Sequence, residues 1–128
     1  MSEYNAKVSF TSKEVSARER IKLKDTGNYT RLDESTQLED VIINLDYYAI
    51  VDVHNEKAQS GNKDYQQTIT VDKDGTYYST GSASYLNALE NIMSELEDEG
   101  DTGDISIRVY RRPSKNRAGK DFITCSLV

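Results

Sequence analysis

Six basic residues lie between positions 105 and 120, in a segment without an acidic residue, although the whole chain carries a formal net charge of −6. A local charge opposite to that of the remaining surface favours the binding of an anion. Basic side chains contact phosphates and aromatic rings stack on bases, so interleaved cations and rings are typical of sites for single-stranded nucleic acid. The six basic residues are Arg108, Arg111, Arg112, Lys115, Arg117 and Lys120.

Alternation within this segment separates a predicted contact face from a predicted core face. Successive side chains of an extended strand point to opposite sides. The isoleucines and the valine of the segment would face a core, whereas Arg108, Tyr110 and Arg112 would share the other side. Phe122, on the strand predicted to follow, would join them across a hairpin. The predicted face therefore combines cations for phosphates with rings for bases.

Two further groups of residues are candidates for the same surface. Tyr77 and Tyr78 are adjacent on a predicted strand, so one of the two rings must point outward. Near the N-terminus, residues 18–24 alternate basic and other residues, and a strand there would present four cations on one face as a second wall of a groove. A helix over residues 13–20 is the alternative for this segment. The four cations are Arg18, Arg20, Lys22 and Lys24.

An acidic block directly precedes the basic segment. Residues 95–104 contain six acids and no base, and such a surface suits recognition of a protein by charge complementarity. We therefore expect a protein partner to be the alternative ligand class, bound through this block. Its acids are Glu95, Glu97, Asp98, Glu99, Asp101 and Asp104.

Length and composition exclude several classes of function. The 128 residues suit a single domain. One cysteine and one histidine leave neither a disulfide nor the soft-ligand quartet of a structural zinc, so we expect no metal and no cofactor. No nucleophile with a partner base and no glycine-rich phosphate loop is present, which argues against an enzyme. No apolar run is long enough to span a membrane, so a cytoplasmic protein is expected.

The period of the apolar residues predicts mostly strands. Residues 41–53 form the longest predicted strand, with one apolar face throughout and a bend or bulge near Asp46. Gly75 closes a hairpin turn over residues 72–75, and Cys125 is predicted to be a small core residue. Residues 25–37 read as a polar loop. The remaining predicted elements are strands at 5–10, 65–71, 76–79, 105–112 and 122–128, and one amphipathic helix at about 84–98, capped by Ser82 or Ser84.

From residue 41 onward the predicted order is three strands, one helix and two strands. This order is that of the OB-fold, a five-stranded barrel that binds oligonucleotides through its sheet face and through loops such as the one between its last two strands. That loop would here be the basic segment 113–119. We therefore expect a mainly β domain with one helix, in which 41–128 form an OB-like barrel and 1–40 an added β extension. A mixed α+β sheet with the helix on one face is the alternative fold.

The C-terminal half resembles small single-stranded-DNA-binding proteins encoded by phages and related mobile elements. The similarity lies in residues 77–82, the helix, and residues 105–112, 114–116, 119–120 and 122–124. The resemblance implies an OB-type protein that coats displaced single strands during replication or recombination in the host cytoplasm, with self-association as a further expectation. Many such proteins recruit partners through a disordered acidic tail, whereas the acidic block here is internal.

Two hypotheses therefore remain from the sequence. The first is binding of single-stranded DNA, or of RNA, without sequence preference. The second is a small acidic phage module that binds a host protein as an inhibitor or adaptor. Interleaved aromatic residues favour the first, and the acidic block favours the second.

Overall fold

Seven strands form one sheet in the computed structural model, which describes residues 4–56, 63–101, 103–114 and 120–128. The prediction of a mainly β protein is confirmed, although three α-helices are present among these residues instead of the one expected. The strands are β1 (Tyr4–Thr11), β2 (Tyr29–Arg31), β3 (Val41–Asn55), β4 (Asp64–Asp72), β5 (Tyr77–Thr80), β6 (Ile105–Pro113) and β7 (Asp121–Leu127). The helices are α1 (Ala17–Leu23), α2 (Leu32–Ser35) and α3 (Ala83–Asp98), with a short 3₁₀ turn over Thr26–Asn28.

The long strand β3 organises the sheet. The strand order is β2-β5-β4-β3-β6-β7, and β1 also pairs with β3. One edge of β3 pairs with β4, whereas the other edge pairs first with β6, over residues 41–45, and then with β1, over residues 49–55. The register with β4 shifts between Leu45 and Tyr47, so the predicted irregularity near Asp46 is confirmed. One strand thereby serves both halves of a curled sheet.

The bulge also divides the apolar residues of β3 between two cores. Ile43 belongs to a cluster on one side of the sheet, whereas Tyr47 and Ala49 belong to a second cluster. Tyr48, next to Tyr47, belongs to the first. Adjacent strand residues point to opposite sides, so the two clusters cover opposite faces. The prediction of one apolar face along residues 41–53 is therefore wrong, because the extra residue at the bulge changes the phase of the alternation.

Helix α3 covers the first cluster. Its N-cap is Ser82, whose hydroxyl accepts a hydrogen bond from the N–H of Tyr85 at 3.2 Å. Tyr85 and Leu89 are completely buried against the sheet, and the Tyr85 hydroxyl shares a hydrogen bond of 2.7 Å with Thr70 on β4. The predicted amphipathic helix and its cap are confirmed, and so is the core position of Cys125.

Helix α1 covers the second cluster, where the sequence predicted a basic strand at residues 18–24. Ser16 caps this helix by accepting a hydrogen bond from the N–H of Glu19 at 3.1 Å, and Leu23 is completely buried. The Glu19 carboxylate accepts hydrogen bonds from the hydroxyls of Tyr47 and Tyr77, each at 2.7 Å. The strand prediction is wrong because these tertiary contacts, together with a Ser-x-x-Glu start, stabilise a helix over a pattern that alternates like a strand.

The predicted polar loop at residues 25–37 contains further elements. Strand β2 pairs in parallel with β5, and α2 buries Leu32 completely in the first cluster. Segment 4–40 thus supplies a core residue to each cluster, Leu23 to the second and Leu32 to the first.

Hydrogen bonds through helical segments span the gap between the two ends of the curled sheet. A closed barrel would need β5 to pair with β7, and no such pairing is present among the described residues. Instead, the Ser82 hydroxyl donates to the carbonyl of Ile123 on β7 at 3.2 Å. Thr80 on β5 donates to the Asp33 carboxylate of α2 at 2.7 Å. The outer edge of β5, at which pairing with β7 would close a barrel, pairs instead with β2. No helix within the described part of the chain has the length and apolar character needed to cross a membrane.

Candidate nucleic-acid interface

The outer side of the β6–β7 hairpin carries the predicted contact residues. Ile107 and Val109 are completely buried in the first cluster, so their neighbours on β6 point away from α3. The antiparallel register places Phe122 opposite Arg112, which confirms that the two share a side. We call this surface the hairpin face and define it by Arg108, Tyr110, Arg112, Phe122, Thr124 and Ser126.

Arg108 and Tyr110 form a stacked pair at the centre of this face. The Arg108 guanidinium lies 4.9 Å from the centroid of the Tyr110 ring, and the Tyr110 hydroxyl shares a hydrogen bond of 2.8 Å with Ser126. Arg108 remains half exposed, and its only ion pair among the described residues is a long contact of 3.8 Å with Asp40. A cation held against a ring by such contacts offers both a phosphate ligand and a planar surface for a base.

Arg112 and Phe122 form the second cation and ring of the face. Arg112 is exposed, and it has no hydrogen-bond or ion-pair partner within the described ranges. Phe122 lies directly opposite on β7 and is partly exposed. A free guanidinium beside an accessible ring repeats the chemistry of the Arg108–Tyr110 pair along the hairpin.

Ile42 extends the hairpin face onto β3, a position that sequence reasoning missed. It lies opposite Arg108 in the β3–β6 register and is 51% exposed. Next to it, Ser106 donates a hydrogen bond to the side chain of Asn44 at 2.8 Å. The signal was present in the sequence, because the middle residue of Val41-Ile42-Ile43 must point away from its two neighbours.

Arg111, also predicted as a contact residue, does not lie on this face. Its Nε donates to the hydroxyl of Thr36 at 3.1 Å, and its Nη2 donates to the carbonyl of Asp33 at 2.6 Å. Arg111 shares the side of β6 on which Val109 is buried, because residues 109 and 111 are two apart. It therefore fastens the α2 segment to the sheet.

Tyr77 and Tyr78 are also not available for stacking on the hairpin face. Tyr77 is only 8% exposed, and burial, together with the hydrogen bond to Glu19, raises the pKa of Tyr77 to about 12. Tyr78 packs against the first cluster on the side of α3, and burial followed by the charges of Asp72 and Asp74 raises the pKa of its hydroxyl. The side of β4 and β5 that the second cluster occupies is covered by α1 and its neighbours.

The cations of α1 are exposed, but they do not form a strand wall. Arg20 donates to the carbonyl of Val15 at 2.9 Å, and Lys24 is the C-cap of the helix. No hydrogen bond or ion pair connects Arg18, Arg20, Lys22 or Lys24 to the hairpin face within the described ranges. These four residues stay candidates for a separate basic surface.

The loop that connects β6 and β7 holds the remaining predicted cations. Lys115 and Arg117 lie outside the described residues. Lys120 is exposed, and its carbonyl accepts a hydrogen bond from the N–H of Ser114 at 2.8 Å, which fixes the base of the loop. The loop therefore starts and ends beside Arg112 and Phe122.

Other reactive side chains lie apart from this face. Burial raises the pKa of the Cys125 thiol to about 11, which disfavours the nucleophilic thiolate. His54 is partly exposed, and its ring nitrogens contact Asp64 and Glu56, each at 2.6 Å. Across the part of the chain that the structure describes, no group of three or more His, Cys, Asp or Glu side chains is arranged to hold a metal ion.

The fold and the hairpin face together define a mainly β protein with an open surface of arginine and aromatic side chains. No protein-family model, curated protein or solved structure matches the chain.

Proposed function

We propose that the protein binds single-stranded DNA on the hairpin face, without sequence preference, and so supports the replication or recombination of a phage or mobile element. The observation that carries this proposal is the stacked Arg108–Tyr110 pair beside Arg112 and Phe122, on a part of the sheet that no described helix covers. The acidic remainder of the chain disfavours general binding to duplex DNA, since that affinity depends on net positive charge.

Independence from sequence follows from the chemistry of the face. Stacking uses the flat surface that every base has, and a guanidinium contacts any phosphate. The hydroxyls of Tyr110 and Ser126 bond to each other, so they are not positioned to read base edges. RNA would meet the same groups, and the comparison of DNA with RNA is therefore part of the test.

The proposed relation to the OB-fold rests on the order of the strands and on the curvature of the sheet. From residue 41 onward, three strands precede α3 and two follow it. These five strands lie in the sheet in the order β5-β4-β3-β6-β7. In this proposal, β2 takes the edge of β5 at which β7 would pair, and hydrogen bonds of Asp33 in α2 and of Ser82, the N-cap of α3, connect the helical segments to β5 and β7. The N-terminal segment covers β4 and β5, which leaves the β6–β7 side as the accessible part of the sheet.

The test is a fluorescence-polarisation titration with labelled oligo-dT at several salt concentrations. We expect a Kd below about 100 μM at low salt. Each phosphate neutralised on a single strand contributes about 0.7 to the log-log salt slope, so up to five cations give a slope of at most about −3.5. Those cations are Arg108, Arg112, Lys115, Arg117 and Lys120.

Variants separate stacking from charge. Phe122→Ala should weaken binding by about 5- to 150-fold, the value of one stacked base, and should leave the salt slope unchanged. For variants that remove one exposed cation of the hairpin face, Arg31→Ala is the matched control. Arg31 is also exposed, but it lies on β2 at the other end of the strand order. Heparin binding that equals oligo-dT binding, or affinity that does not change with salt, would refute the proposal.

A protein-binding function has its own support. The acids at the end of α3 are exposed, and a groove with apolar walls lies beside them.

A further inference from the structure

A groove of about 330 Å³ lies between β1 and the C-terminal turns of α3. Its apolar walls come from both elements and from β3. Phe10 on β1 is 43% exposed, and its ring centroid lies 5.3 Å from that of Tyr48. Met93 and Leu96 of α3 are partly exposed on the opposite wall. An exposed phenylalanine facing a flexible methionine can hold an apolar side chain of varied shape.

The rim of the groove is acidic. Glu97 and Asp101 are exposed at the groove, and neither forms an ion pair within the described ranges. By contrast, Asp104 is neutralised by Lys73 at 2.6 Å. Glu90 and Glu97 lie two helical turns apart, and their charges act on the Tyr48 hydroxyl, whose pKa is raised first by burial and then by both carboxylates. The potential at the groove is therefore negative, which excludes a nucleic acid and favours a cation.

Two polar features at the groove are free to bind an occupant. The Tyr48 hydroxyl makes no hydrogen bond within the described ranges. Because every buried polar side-chain atom there has a partner, this hydroxyl must be open to solvent. Strand β1 pairs only with β3 among the described strands, so its outer backbone edge is unpaired. An unpaired edge can accept an added strand.

We propose that this groove binds a short extended segment of a partner protein, in which one or two apolar residues lie between lysines or arginines. The apolar residues occupy the space between Phe10 and Met93, and the basic residues face Glu97 and Asp101. The segment adds to the free edge of β1. This site uses none of the residues of the hairpin face, so it is a function additional to DNA binding.

The test uses three fluorescein-labelled octapeptides and the full chain. The first has Leu and Phe at its centre and two basic residues on each side; the second has Glu in place of the basic residues, and the third has Ser in place of Leu and Phe. We expect the first peptide to bind at least about tenfold more tightly than the other two, with an affinity that falls as salt rises. Nuclear magnetic resonance shifts in the unmodified protein should map to β1 and α3.

Variants then assign the contacts. Met93→Lys and Phe10→Ser should each weaken binding of the first peptide by more than about tenfold, as for a buried anchor. Glu97→Gln and Asp101→Asn should each weaken it by up to about fivefold and reduce its salt dependence. Leu38→Ser is the control, since Leu38 is 90% exposed and does not line the groove.

Three outcomes would overturn the proposal. The first is equal affinity for the three peptides, and the second is no binding of the first peptide at about 1 mM, the weak limit of specific recognition. The third is a set of resonance shifts that lies away from β1 and α3. This last measurement needs no variant, so it decides the question even if a groove variant fails to fold.

Discussion

Arg111 and Arg112 are adjacent on β6, but their side chains point to opposite sides of the sheet. Arg111 bonds to Thr36 and to the carbonyl of Asp33, whereas Arg112 is exposed on the hairpin face. We predict that Arg111→Ala lowers stability and leaves oligo-dT binding intact. Arg112→Ala should instead leave stability nearly unchanged and weaken oligo-dT binding.

The expected loss for Arg111→Ala follows from its two hydrogen bonds. A hydrogen bond to a charged group contributes about 1.5–3 kcal/mol when buried. These two are only partly buried, and Thr36 keeps its second hydrogen bond, to the carbonyl of Leu32 at 2.7 Å. We therefore expect a loss of about 2 kcal/mol. Unfolding entropy scales with length, and for 128 residues this loss lowers Tm by about 7 °C.

Arg112→Ala should change the free energy of unfolding by less than about 0.5 kcal/mol, because an exposed residue without partners contributes little. It should reduce the salt slope of oligo-dT binding by about 0.7, the loss of one phosphate contact. Thermal unfolding followed by circular dichroism and polarisation titrations of both variants supply the two measurements.

The reasoning fails if both variants weaken binding equally and neither lowers Tm. That result would mean that Arg111 faces the ligand and that α2 is held by other contacts. Thr36→Val provides a check, since the hydrogen bond from Arg111 predicts that the losses of Thr36→Val and Arg111→Ala are not additive.

Three other perturbations test the contacts that hold the fold. Glu19→Ala removes the acceptor of the Tyr47 and Tyr77 hydroxyls and should cost about 2 kcal/mol; the ultraviolet titration of Tyr77 should also move down from about 12. Because the pKa of Tyr77 is raised in the folded state, its contribution to stability is fully present below pH 10 and is lost as pH rises toward 12. The native chain should therefore lose stability between pH 10 and 12. The contact with Asp64 raises the pKa of His54 above 6.5, so its imidazole resonance should titrate above that value and shift down in Asp64→Asn. This contribution to stability is present below pH 6.5 and is lost as pH rises through the folded pKa. Deletion of Asp46 should unfold the protein, as judged by circular dichroism, because it removes the bulge, whereas Asp46→Asn should cost at most about 1 kcal/mol.

The strands from β3 onward and helix α3 could be predicted because local patterns determine them. Alternation identified β3, β4, β6 and β7 to within a few residues, and Gly75, at a φ of +92°, closes the predicted turn. The cap at Ser82 and the apolar spacing of α3 identified the helix. Periodicity of this kind depends only on neighbouring residues.

The alternation of residues 18–24 hid helix α1, although the Ser16-x-x-Glu19 start is a local helix signal. Ile21 and Leu23 suggested a strand, but Leu23 is buried whereas Ile21 is 65% exposed. The deciding contacts are those of Glu19 with tyrosines that lie 28 and 58 residues away. Contacts over such separations leave no trace in a short window of sequence, and they override weak propensities.

For the hairpin face, the sequence by itself determined which residues alternate with the core. The grouping of Arg108, Tyr110 and Arg112 followed from a period of two, and the register confirmed the predicted place of Phe122 opposite Arg112. Only the tertiary structure decided that Arg111 is anchored to α2 and that Tyr77 is covered by α1, since both depend on segments far away in the chain. A charge pattern records which residues can meet a phosphate, but accessibility is set by the elements that pack over them.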